Sequence, residues 1–78
     1  MSKSHIEECV RTSLEGYLRD LRQTEPDGLY TMLVHVVEKP LFEVVMHHAD
    51  HNQSKAAQWL GLNRNTLRKK LLEHKLID

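Results

Sequence analysis

Two asparagines and one glycine confine the last third of this chain to a single arrangement. Asn52 and Asn63 are both favourable helix N-caps, and Gly61 stands two residues ahead of the second. A helix that begins at Gln53 must therefore end at Leu60, and the next runs from Arg64 to about Glu73. Two short helices joined by a tight turn at a glycine form a helix-turn-helix. Ala57, four residues before Gly61, is small enough for the second helix to cross the first closely. Gly61 accepts the left-handed backbone of the turn without steric penalty. Leu60, Leu62 and Leu67 are expected to fill the junction, with Leu67, Leu71 and Leu72 as the buried edge of the last helix. Leu76 and Ile77 are expected to fold the tail back onto it.

Upstream, the apolar periodicity predicts two longer helices. Helix A is expected to start at a capping box, Ser4 with Glu7, and to carry Ile6, Cys9, Val10, Leu14, Tyr17, Leu18 and Leu21 on one stripe. The segment from Gln23 to Gly28 breaks the pattern. Helix B is expected from about Asp27 to His48. Leu29, Met32, Leu33, Val36, Val37, Leu41, Val44 and Val45 form its main stripe, and Val34, Phe42 and Met46 widen it. Pro40 falls in mid-run and removes the backbone donor to Val36, so a bend is expected there. An apolar surface this wide must be covered on more than one side, and helix A covers one. The spare side predicts a second copy of the chain, with Leu33, Val36, Val37, Pro40, Leu41, Val44 and Val45 at the interface.

Length points the same way. Seventy-eight residues bury a limited core on their own, and Cys9, the one cysteine, has no intrachain partner for a disulfide. The expected class is all-α with four helices, residues 1–50 serving dimerisation and residues 51–78 forming the helix-turn-helix within one structural domain. The N-terminus shows no basic stretch followed by an apolar run, so a membrane is excluded as partner and a cytoplasmic location is expected.

Net charge is zero, but its distribution is not even. Residues 1–50 hold five Lys/Arg against nine Asp/Glu, whereas residues 51–78 hold six against two. From His51 to Leu72 there are five basic side chains (Lys55, Arg64, Arg68, Lys69, Lys70) and no acidic one. An unopposed positive field on a helix-turn-helix points to double-stranded DNA. The second short helix offers Asn63, Arg64, Asn65, Thr66, Arg68, Lys69 and Lys70 near the end that enters a major groove. Arginine can donate two hydrogen bonds to a guanine edge, asparagine can pair with adenine, and the threonine methyl can touch a thymine methyl. Asn52, Gln53, Ser54 and Lys55 surround the start of the first short helix, whose free amides favour a phosphate.

At these residues the chain resembles a known family. His51 to Lys70, reading HNQSKAAQWLGLNRNTLRKK, is similar to the C-terminal signature of the Fis family of bacterial nucleoid-associated proteins. The tract LYTMLVHVVEKPLFEVVM, with its internal proline, resembles that family's long kinked dimerisation helix. The resemblance implies a homodimer with intertwined A and B helices and two recognition helices that enter successive major grooves of bent DNA. It implies Asn63, Arg64 and Thr66 at the groove, and Asn52, Ser54 and Lys69 on phosphates. It implies no cofactor, no catalytic residue and a place on the nucleoid as a global transcriptional regulator.

Three departures shape these expectations. The family's best-known members carry a mobile hairpin ahead of helix A that activates DNA invertases, whereas this chain starts almost at helix A, so DNA binding without invertase stimulation is expected. Asp50 occupies a position that is often basic in the family, which weakens the expected grip on flanking DNA. Asn65 stands where glycine is frequent, so the preferred sequence is expected to differ.

The main rival is a helical protein-interaction module that docks on RNA polymerase or a recombinase, with DNA contact secondary; the basic half argues against it. His47, His48 and His51 with Asp50 have the spacing of a metal cluster but lack a cysteine or fixed carboxylate triad, so no metal is expected. They fit better at the end of helix B beside DNA, where protonation adds positive charge. Cys9 on the apolar stripe reads as a buried structural thiol rather than a nucleophile. Tyr17, Tyr30, Phe42 and Trp59 read as core filling.

Overall fold

The computed structural model describes residues 2–78, which form four helices and no strand among them. The architecture is all-α: α1 (Lys3–Asp20), α2 (Leu29–His48), α3 (Gln53–Leu60) and α4 (Arg64–Glu73).

Helix α1 starts two residues earlier than a Ser4 capping box requires. Ser2 has extended backbone, and its Oγ accepts a hydrogen bond from the His5 amide at 3.2 Å. With that donor satisfied one turn upstream, Ser4 lies inside the helix. Helix α2 starts at Leu29 rather than Asp27, because Gly28 takes a left-handed conformation (φ 62°) and acts as the N-cap without a side chain. It then continues through Pro40 to His48.

The core lies at the far end of α2. Phe42 and Met46 of α2 and its C-cap Ala49 meet Ala56 and Ala57 of α3 and Leu67 and Leu71 of α4, all buried, with Val45, Leu60, Leu62, Leu76 and Ile77 packed around them. Val45, expected at the interface between copies, packs half-buried against its own chain's core. Leu72 also departs from expectation, since it is 42% exposed on the outer side of α4.

Three helix ends are built alike. The last residue of the motif donates to a carbonyl five residues back: His51 to Met46 (2.8 Å), Leu62 to Ala57 (2.9 Å) and Leu76 to Leu71 (2.8 Å). Each closure needs a left-handed residue just before it. Gly61 (φ 71°) supplies one without strain, while Asp50 (φ 54°) and Lys75 (φ 59°) do so despite their side chains.

The N-terminal half looks different. Helix α1 contributes no buried residue, and Val36, Val37, Leu41 and Val44 of α2 are all exposed, Val44 at 57%. Cys9, expected to be buried, is exposed in the protomer and lines an apolar groove with Val10, Leu33, Val36, Val37 and Pro40. The protomer is elongated, 44 × 28 × 17 Å, with a radius of gyration of 14.8 Å, against about 11.5 Å for a compact chain of this length. No helix among the described residues is long and apolar enough to cross a membrane.

Candidate nucleic-acid interface

The cap residues that delimit α3 and α4 also fix their N-termini as a paired surface. Asn52 Oδ1 accepts from the Lys55 amide at 3.1 Å, and Asn63 Oδ1 accepts from the Asn65 amide at 2.8 Å. Both asparagines are exposed. Gly61 closes α3 through its amide to Gln58 (3.2 Å) and turns the chain directly into α4. Leu67 and Leu71 anchor α4 on the core, which leaves Asn65, Thr66, Arg68 and Lys69 on the exposed side.

Arg64 joins the two helix starts. Its guanidinium donates to Ser54 Oγ at 3.3 Å, so the first residue of α4 reaches across to the first turn of α3. Lys55, Arg64, Arg68 and Lys69 are exposed, and no acidic residue occurs between them in sequence. Lys55 lies over the Trp59 ring at 5.2 Å, and Trp59 is itself exposed rather than core-filling, as are Tyr17 and Tyr30.

Two of the expected contact residues are placed differently from the others. Gln53 is half-buried and lines a cleft of about 350 Å³ with Glu43, His47, His51 and Leu76. Lys70 turns toward α2, where its Nζ donates to Glu38 Oε2 at 2.9 Å. That bond raises the Lys70 ammonium above its ordinary pKa. The Glu38 carboxyl is lowered, first by its hydrogen bond with Lys70 and then by that with His74, against the opposing effect of burial.

Glu38 anchors a group that the sequence did not single out. Its Oε1 lies 3.1 Å from His74 Nε2, and His74 is buried. The His74 ring stacks on His35 with centroids 4.3 Å apart and meets the edge of Phe42 at 5.8 Å. His35 and Glu38 are three residues apart on one helix and so share a face, which is visible in the sequence. His74 joins them only through the tertiary fold. His47 and His48 meet edge to face at 5.5 Å, at the opposite end of α2 from the start of the chain.

Residues 34–74 match the family described as bacterial regulatory protein, Fis family. A Fis-like DNA-binding protein of Neisseria meningitidis serogroup B is 57% identical over 72 residues, covering 92% of this chain and 91% of the relative. Another from Ralstonia nicotianae is 52% identical over 77 residues, covering 99% and 100%. The DNA-binding protein Fis of Aliivibrio fischeri is 39% identical over 74 residues, covering 95% of this chain and 76% of the relative.

Proposed function

Because the chain belongs to the Fis family of bacterial regulatory proteins, we propose that it acts as a homodimer that binds and bends double-stranded DNA, as a global transcriptional regulator on the nucleoid in the cytoplasm. The observation that carries this is the exposure of Lys55, Arg64, Arg68 and Lys69, with no acidic residue between them in sequence, around the starts of α3 and α4 that Arg64 and Ser54 join. On this reading Asn63, Arg64, Asn65 and Thr66 address base edges, while Asn52, Ser54, Lys55, Arg68 and Lys69 hold phosphates.

Dimerisation is supported by the bare N-terminal half. The protomer exposes 6561 Å². A compact monomer of this size exposes about 4,900 Å². The excess, about 1,700 Å², falls in the range that one subunit buries in an obligate dimer. Val36, Val37, Leu41 and Val44, together with Ile6, Val10 and Leu18 of α1, supply an apolar face for it. Two such protomers carry two recognition helices, and the Fis-family resemblance implies that they enter successive major grooves of bent DNA.

A mobility-shift titration on random and preferred duplexes at several salt concentrations tests the DNA reading. With the exposed cations of both protomers engaged, affinity should fall on the order of a thousand-fold or more between 50 and 200 mM salt. A flat salt response would favour the protein-docking alternative. Light scattering at micromolar concentration tests the dimer, and a stable folded monomer would overturn it.

A further inference from the structure

We propose that His35, Glu38 and His74 form a binding site for a zinc-type divalent cation that ties α2 to the end of α4. Among the described residues these three side chains bring their donor atoms within 4.8 Å of one another. Two imidazoles with one carboxylate are the donor set of a borderline transition-metal ion, and they exclude magnesium and calcium, which take oxygen ligands.

The geometry is close to what coordination needs. Two ligands at about 2.0–2.1 Å from a tetrahedral ion stand roughly 3.3 Å apart. His74 Nε2 and Glu38 Oε1 already stand 3.1 Å apart. His74 is held there by burial, its side chain only 2% exposed, and Glu38 by the Lys70 bond to its other oxygen. His35 has to close the remaining distance. It is exposed, so its ring can turn at the cost of its stack on His74 and little else. Its exposure also leaves a fourth position open to water, as in three-ligand zinc sites.

Lys70 has two opposed effects. By holding Oε2 it orients the carboxylate to bind through Oε1 alone, as an outer-shell partner does. Its ammonium also repels the arriving ion. At 32% exposure the side chain can swing into solvent, so replacing it with an uncharged residue should tighten the site. The ion would connect the helix that bears the apolar dimer face to the C-terminal end of the helix that bears the DNA-facing side chains. It would thus add a coordinate cross-link to a joint otherwise held by core packing, ring stacking and hydrogen bonds.

The test is a calorimetric titration of the metal-stripped full chain with Zn²⁺, paired with thermal melting and with the visible absorption of Co²⁺ as a reporter of coordination geometry. The expected result is one ion per chain, a raised melting temperature and a tetrahedral cobalt spectrum. His35→Ala should weaken binding at least tenfold and abolish the thermal shift. Because His35 is exposed, this variant should keep its metal-free fold, checked by circular dichroism. A His47→Ala/His51→Ala variant removes the other histidine pair and should bind as the parent does. Absence of binding, binding unchanged in His35→Ala, or binding lost in the His47/His51 variant would each overturn the assignment.

Discussion

Replacing Glu38 with alanine should loosen the joint between α2 and α4 and, at the same time, release a cation toward DNA. Glu38 accepts from Lys70 at 2.9 Å and pairs with His74 at 3.1 Å. The two losses differ in size. His74 is buried, so leaving its ring nitrogen without a partner costs about 1–3 kcal/mol. Lys70 is nearly one-third exposed and turns to water, so its lost pairing is worth about 0.2–1 kcal/mol. Alanine's better helix propensity returns a few tenths of about 1 kcal/mol. The net expectation is a destabilisation of about 2 kcal/mol, or roughly 10 °C in melting temperature for a chain of this size. Urea unfolding at fixed protomer concentration measures it. A salt titration of DNA binding reads the second effect, because each freed Lys70 that reaches a phosphate steepens the logarithmic slope by about 0.9 per protomer. The steepening should vanish in a Glu38→Ala/Lys70→Ala double variant. A stability loss below about 0.5 kcal/mol would refute the reasoning, since the joint would then be worth no more than an exposed ion pair.

Three further outcomes are expected. Arg64→Ala should cost roughly 1–3 kcal/mol on preferred sites and much less on random DNA, whereas Lys69→Ala should weaken both alike and lower the salt slope by about one. Titration of both variants on a preferred and a scrambled duplex decides between them, and full site preference in Arg64→Ala would show that another residue reads the base. Lys75→Gly should raise stability by about 0.5–1 kcal/mol in urea unfolding, because Lys75 has a φ of 59° at a helix end that favours glycine. Asp50→Arg should strengthen binding to long duplexes more than to short ones in gel-shift titrations, and equal effects on both lengths would count against a flanking contact.

The sequence was most informative where its signals are local. The bounds of α3 and α4 follow from Asn52, Gly61 and Asn63, and the structure matches them to the residue, because each cap satisfies backbone groups within three positions of itself. The starts of α1 and α2 were less legible. Ser2 and Ser4 are equally able to cap, and Gly28 caps α2 with no side chain to announce it. Periodicity ranks the apolar residues of α2 but cannot say which partner each face meets, so it does not show that Val45 also packs against its own chain's core. Lys70 belonged by charge with Lys69, yet the two are separated by one residue's rotation around α4, enough to aim Lys70 at Glu38. The His35, Glu38 and His74 group needed the tertiary fold, since 36 residues separate Glu38 from His74.

The lack of any buried residue in α1 bears on how long a protomer survives as well as on how it assembles. On the dimer reading, a protomer diluted away from its partner keeps the compact end around Phe42 and Leu67 but holds residues 2–28 only through the partly exposed contacts of α1 with α2. Such a segment is the natural first cut for a protease. Limited proteolysis across a dilution series should show cleavage in this segment rising as concentration falls, with residues 42–77 outlasting it.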